Sequence, residues 1–510
     1  MRDFVDRHAD VIEGVVSGLD RIVFIGRMFS IGVGPRLEGF LGAKGVRFKD
    51  FAALAQRCTK RVVAHAEQFA QSKKRPFIYL PSCRESKEAV VDRVLAEQPT
   101  NKGLICVISC VESCRTFEIR RTPQGPRFKN VQRRGRALYF YFLDREFGRI
   151  YIRIHSWWPF PVQVYVNGRS YLARQLERED IAFVQDGNCL TDIADWPRAQ
   201  ALLSQLDRRR WQLTLDAFAR RVNPLLEDLL ADQHGYYWCV EQSEHATDVA
   251  FDSAATLQAL YPALLHHAMT HFGSQDVLRF FNRKLYWAFK GQITTDQRDR
   301  TDGVRIKHRV KRNSVKMYDK AGSVLRIETT INDATDLRVV RESPRGLARL
   351  PMRKGICDLF HRAQLAHASN QRYLEALAIV GERQPTHAVL DQVNAPVTKR
   401  RRRHRPLHPT EGSDATLLQH LLQPGLRLDG FCNRDLAERL YPDERRRPET
   451  RRRASARTTR ILSLLRAHGI IRKLPRSRRY QLSRRGVRVA TAAISARQAP
   501  IATACGASAA

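Results

Sequence analysis

Alternation of apolar and polar positions is the strongest signal in the first half of the chain. Residues 21–26 (RIVFIG), 77–80 and 103–109 have the two-residue period of strands, while residues 48–71 and 86–97 space their apolar side chains as a helix face does. This predicts an α/β region over residues 1–125. Residues 130–185 read as more strongly β, through 137–143 (ALYFYFL), 150–158 (IYIRIHSWW) and 162–166, with turns at 144–148 and 166–168. Residues 200–290 read as mainly helical. The clearest amphipathic stretch there is 257–272, interrupted by Pro262. A second β segment follows in 303–308, 314–319 and 323–331, with Lys320-Ala321-Gly322 as a hairpin turn. Helix is expected again over 354–379, and no internal repeat is visible.

The pattern then breaks. Residues 398–406 (TKRRRRHRP), followed by Pro409 and Gly412, lack periodicity and read as a disordered basic linker. The expected units are therefore 1–125, 126–395, a linker over 396–412, a C-terminal domain over 413–497 and a disordered tail over 498–510. In the C-terminal domain, residues 417–422 give one helix, and Asn433 is placed to cap a second over 434–440. A basic third helix spans 452–467, with Ile461, Leu464, Leu465 and His468 on one side and Gly469 as its left-handed stop. Two strand-like runs, 470–474 and 480–483, flank the tip Pro475-Arg476-Ser477-Arg478-Arg479. This element order is that of a winged helix-turn-helix, and residues 464–486 (LLRAHGIIRKLPRSRRYQLSRRG) resemble the MarR-like winged helices of bacterial regulators. The fold class expected is a multidomain α+β or α/β chain, with a mixed β-rich core and a C-terminal winged helix.

Charge turns this architecture toward nucleic acid. The 510 residues carry 88 Lys+Arg against 52 Asp+Glu, a net +36. From Val397 onward there are 27 basic and 8 acidic residues, so about half the excess lies in under a quarter of the chain. Such an excess selects a polyanion. The acidic first residues and the lack of a long apolar run argue against a secretory signal and a membrane partner, so a cytoplasmic protein binding duplex DNA is expected. A groove-bound third helix would bring Ser455, Thr459 and Arg460, with Ala456, to base edges. Arg457, Arg476, Arg478 and Arg479, with Arg400, Arg401, Arg402 and Arg403 of the linker, would meet phosphates. Whether the chain forms a homodimer is left open.

Candidate chemistry lies in the second β segment. Lys316-Met317-Tyr318-Asp319-Lys320 precedes Arg326-Ile327-Glu328-Thr329-Thr330, and His245-Ala246-Thr247-Asp248 lies upstream. These words are similar to the YDK and R-I/V-E strands of rolling-circle plasmid and phage replication initiators, although His-x-His is missing. The resemblance implies a nicking site. Tyr318 would be the nucleophile, Asp248 and Glu328 would hold Mg²⁺ or Mn²⁺, and Lys320 would offset phosphate charge. The same residues also read as cross-strand ion pairs on a solvated sheet. The aromatic strands, with Tyr139, Tyr141, Arg153 and His155, admit both a core and a base-stacking reading. Cys106, Cys110 and Cys114 read as small side chains on a buried face rather than metal ligands. Three functions stay open: a mobile-element DNA-binding protein whose core nicks or transfers strands, a non-enzymatic winged-helix regulator, and a partner of structured RNA or single strands.

Overall fold

Strand-forming runs from both halves of the chain pair into one sheet. The computed structural model describes residues 1–510 except 82–84, 284–288, 290, 300–302, 345, 379, 381–385, 400, 424–425, 427–429, 476 and 499–510. In chain order the strands are β1 (Ile12–Arg27), β2 (Phe77–Leu80), β3 (Gly103–Thr122), β4 (Gly125–Asp144), β5 (Gly148–His155), β6 (Val162–Asn167), β7 (Phe183–Asp186), β8 (Cys189–Ile193), β9 (Tyr237–Phe251), β10 (Ile293–Arg298), β11 (Arg305–Val310), β12 (Asn313–Lys320) and β13 (Val324–Ile331). Eleven of these form a sheet in the order β10-β11-β12-β13-β9-β1-β6-β5-β4-β3-β2, and β7 and β8 form a separate hairpin.

The sheet does not respect the boundary expected at residue 125, because β3 and β4 are hairpin neighbours across it. It is built from two arms of the same topology. In each, a first strand leads through helices into four antiparallel strands, and the last of these returns beside the first. The order is β1-β6-β5-β4-β3 in one arm and β9-β13-β12-β11-β10 in the other, and the arms meet where β1 pairs antiparallel with β9. This structural repeat leaves no trace in the residue pattern.

Each arm buries alternate positions of its strands. Ile150, Ile152 and Ile154 pack in one apolar cluster with Val62 and Ala66 of helix Phe51–Ser72 and Phe218 of helix Trp211–Val222. Val315, Met317, Leu325 and Ile327 pack in another, with Leu257 and Leu264 of helix Ala254–His271 and Tyr373 of helix Leu359–Leu377. The intervening positions, among them Tyr151, Arg153, Lys316, Tyr318, Arg326 and Glu328, fall on the opposite face. Tyr139 and Tyr141 are buried beneath helix Lys87–Glu97, with their hydroxyls on Glu112 and Glu88. Cys106, Cys110 and Cys114 are buried on the neighbouring strand β3.

Strand β9 corrects the helical reading of residues 200–290. Its Ser243, Glu244, His245, Thr247 and Asp248 are all buried, so no apolar alternation marks it. Polar partners on both faces take the place of apolar packing. On one side Asn370 donates to the His245 carbonyl (2.9 Å), and on the other Asp248 meets two arginines.

The C-terminal region has its own apolar cluster, joining Val389 and Val393 to Leu418, Leu465, Ile470 and Val489, so it begins well before residue 413. It holds helices Gly412–Leu422, Asn433–Leu440, Pro442–Arg446 and Pro448–Ala467, then a hairpin of Ile471–Lys473 and Tyr480–Leu482, then helix Arg484–Gln498. The segment read as a linker is not featureless. Val397–Lys399 and Arg402–His404 pair around Arg401, whose φ is +61°, and His468 bonds the Arg405 carbonyl (2.7 Å). No described helix is long and apolar enough to cross a membrane.

Candidate functional site

The polar face of the second arm meets β1 at a bulge. The β1–β9 register shifts between Leu19 and Ile22, where Asp20 and Arg21 together stand opposite the single residue Glu244. A bulge re-aims side chains that a regular strand would send elsewhere. Gly168 is required beside it, since a Cβ there would lie 1.7 Å from the Leu19 carbonyl oxygen. The helix Gly168–Arg178 can start this close only because Gly168 has no side chain, and the Asn167 side chain caps it, Oδ1 accepting from the Arg169 and Ser170 amides.

Three carboxylates converge at this junction. Asp20 from β1, Glu244 from β9 and Glu328 from β13 each offer an oxygen, all within 4.8 Å of one another. They line or adjoin a cavity of about 170 Å³ bounded by Asn188, Lys316, Tyr318, Lys320 and Arg326. That space holds roughly five waters, enough for a hydrated cation or a phosphate group. Tyr318 donates to Glu328 Oε2 (2.9 Å), and Lys316 Nζ lies 2.6 Å from Glu328 Oε1. Asn188 donates to both Asp20 oxygens, at 3.1 and 3.2 Å. Gln242 donates to Glu244 (2.9 Å), and Arg21 stands 3.7 Å from it.

The electrostatics separate these acids. Burial, and then the Glu328 carboxylate, push Glu244 up to about 7 against the pull of Lys316 and Arg21. Burial opposes ionisation of Glu328 as well, but Lys316, Arg326 and the Tyr318 hydrogen bond hold it below the usual carboxylate range. Burial and the neighbouring Glu328 carboxylate raise the Tyr318 phenol well above its ordinary value. Around neutral pH Glu244 therefore exchanges a proton while Glu328 stays ionised.

Of the four residues assigned catalytic roles from sequence, Tyr318, Lys320 and Glu328 line this one cavity. Asp248 does not, and a metal-ligand role for it is corrected. It is wholly buried, with Oδ1 accepting from Arg326 Nε (2.5 Å) and Oδ2 from Arg326 Nη2 and Arg169 Nε (2.8 Å each). Burial would raise this carboxyl, but Arg169 and Arg326 overcome that and keep it below its ordinary value. With both oxygens occupied, Asp248 serves as the anchor that fixes Arg326, whose Nη1 reaches 3.5 Å from Asp20. Asp20 and Glu244 were missed because neither sits in a recognisable word. Asp20 interrupts an apolar strand, which is the one signal that pointed to a bulge.

In the C-terminal region several assigned contacts are already engaged. The cap of helix Asn433–Leu440 is Cys432, whose amide donates to Asp435 (2.9 Å), and not Asn433. Asn433 instead ties two helices together. Its amide nitrogen donates to the Ser455 carbonyl and to Thr459 Oγ1, and its amide oxygen accepts from the Ser455 hydroxyl. Arg457 is paired with Glu444 (2.8 Å), and Arg479 donates to the Gly430 carbonyl (2.7 Å). Arg401, Arg402, Arg403, Arg460 and Arg478 are exposed, while Arg400 and Arg476 lie outside the described residues.

No family model, no curated protein and no solved structure matches the chain.

Proposed function

We propose that the chain is a DNA-binding protein whose central sheet cuts or transfers a DNA strand with the help of a divalent cation. The observation that carries this reading is the convergence of Asp20, Glu244 and Glu328 beneath Tyr318, inside a rim of Lys316, Lys320 and Arg326. Buried carboxylates this close repel one another, and a strongly basic protein has no need of them for solubility. Mg²⁺ or Mn²⁺ would relieve the repulsion, and when bound it would offset charge on the phosphate oxygens.

The residues then divide the work. Lys316 and Lys320 hold the phosphate, and Glu328 orients the phenol by accepting from the Tyr318 hydroxyl (2.9 Å), whose proton passes to water as the oxygen attacks. The phenolate oxygen bonds to phosphorus as the phosphate–sugar bond breaks, and the displaced sugar oxygen takes a proton from water. Incubation with supercoiled plasmid and Mn²⁺ tests the covalent step. Nicked circles carrying attached protein are expected, and Tyr318→Phe should lose the attachment entirely. Attachment that persists in Tyr318→Phe would remove this phenol from the reaction.

Proton release gives the site a pH signature. Glu244 titrates near 7, so cation binding must displace its proton below that pH. Mn²⁺ affinity should rise about tenfold per pH unit up to about 7 and level off above it. Calorimetry across this range checks it, and an affinity independent of pH would exclude Glu244 as a ligand.

The C-terminal region supports duplex binding through a winged helix-turn-helix. Helix Pro448–Ala467 would enter the groove, and the tip between Lys473 and Tyr480 would reach the backbone. With Ser455 and Thr459 engaged by Asn433, base contacts fall to Arg453, Ala456 and Arg460, which are exposed and spaced along one helix face. Duplex affinity of the full chain should fall steeply with salt. Arg460→Ala should change sequence preference, whereas Arg478→Ala should weaken all sequences alike. Site selection from a random library distinguishes these outcomes, and unchanged preference in Arg460→Ala would reverse the orientation.

A further inference from the structure

The other arm of the sheet carries a larger cavity, of about 650 Å³, and its lining is of a different kind. It lies over β1, β5 and the β3–β4 hairpin, and it contains Ile25, Arg27, Arg153 and His155. Arg21 borders the small cavity, and Ile25 and Arg27 border the large one on the same strand, so the two are roughly 13 Å apart at 3.3 Å per residue. Strand β9 runs past both rims. Gln163 donates to Glu241 (2.8 Å) on the large cavity, and the next residue along β9, Gln242, donates to Glu244.

Where the second arm gathers carboxylates, this arm gathers rings and cations. Phe29 and Tyr237 stand at the mouth, 67% and 52% exposed, with ring centroids 6.5 Å apart. The Arg36 guanidinium lies 3.7 Å over the Phe29 ring. Two adjacent exposed rings offer a flat surface on which an aromatic partner can stack. Arg27, Arg36 and Arg115 line the cavity without a carboxylate partner among the described residues. At its floor His155 is 2% exposed, and its Nδ1 has no hydrogen-bond partner. Burial and the neighbouring Arg153 push that imidazole down to about 4, so it is neutral and able to meet a polar edge.

We infer that this cavity holds an unpaired nucleotide of the DNA strand presented to the carboxylate site, with its base against Phe29 and Tyr237 and its phosphates on Arg36 and Arg115. The volume is that of a small-molecule pocket, and sequence-tolerant stacking beside arginines without carboxylate partners is how single strands are held. The inference rests on the proposed strand-cutting function. It adds that the duplicated arm is the one that grips the strand.

Photocrosslinking of the full chain, in EDTA, to a short single-stranded DNA carrying iodouracil separates the two ideas. Adducts are expected in the peptides that contain Phe29 and Tyr237. They should fall about tenfold or more in Phe29→Ala and Tyr237→Ala. Phe29→Trp, which keeps a stacking surface, should crosslink as the parent does. Adducts confined to the C-terminal region, or undiminished in both alanine variants, would overturn the inference. Preferential crosslinking of the same sequence as RNA would overturn its assignment to DNA. Full crosslinking together with failure to cut under any divalent cation would uphold the pocket and reject the cutting function.

Discussion

Glu244→Gln is expected to abolish divalent-cation binding and at the same time make the cation-free protein more stable. The carboxyl is buried beside Glu328, and it titrates near 7 instead of at its ordinary 4.5. A group raised in the folded state holds its proton there while the unfolded chain has already released it. Stability therefore falls as pH rises from about 4.5 to about 7. Glutamine has no such charge to bury, so the variant should gain about 2–3 kcal/mol above pH 7 in EDTA. In Mn²⁺ the ranking should reverse, because only the parent is stabilised by the ion it binds. Strand cutting should fall at least ~100-fold, since the charge offset at the phosphate is lost. Thermal melts at pH 8 with and without Mn²⁺ read both effects. A variant less stable than its parent in EDTA would mean that Glu244 is a structural ion-pair partner.

Asp248→Asn is expected to have the opposite character, with loss of the fold itself. Asp248 neutralises Arg169 and Arg326, which are 0% and 1% exposed. An amide leaves two buried guanidiniums short of their counter-charge, at a cost of about 3–5 kcal/mol. That is a large fraction of the stability of an ordinary domain. Denaturant unfolding should show a much lower midpoint, whereas Glu328→Gln keeps the shape of a residue whose loss affects the site. An Asp248→Asn protein as stable as its parent, yet inactive, would restore Asp248 to the reaction.

The contrast between these two acids shows what the residue pattern could and could not reveal. β12 was legible because it buries Val315 and Met317 on one face only, β13 because apolar and β-branched residues fill it, and the words around Tyr318 and Glu328 mark the polar face. The position of Lys320 in the same cavity follows from the same two-residue period. β9 was not legible, because it lies at the centre of the sheet with polar partners on both sides. Asp248 and Glu244 thus read alike in sequence. Only the arginines packed over one and the bulge beside the other distinguish them. The bulge depends on pairing between residues more than 200 positions apart, Leu19 with His245 and Ile22 with Ser243, which local periodicity does not encode. The duplicated arms were hidden for a related reason. The topology repeats, while one arm carries Tyr151, Arg153 and His155 where the other carries Lys316, Tyr318 and Lys320. In the C-terminal region three of the helices and the hairpin followed from apolar spacing and from Gly469, which has a φ of +72°, while helices Pro442–Arg446 and Arg484–Gln498 did not. The engagement of Thr459 by Asn433 is a contact between helices, and spacing within one helix cannot show it.

The central claim is that Asp20, Glu244 and Glu328 together hold a cation at a DNA-cutting site, and nicking by matched variants tests it most directly. Supercoiled plasmid should be converted to nicked circles by the parent in Mn²⁺ and left intact in EDTA. Asp20→Asn and Glu244→Gln, shown by thermal melts to be folded, should leave it intact in both. Nicking undiminished in the two variants, or no nicking by the parent in either Mg²⁺ or Mn²⁺, would contradict the account.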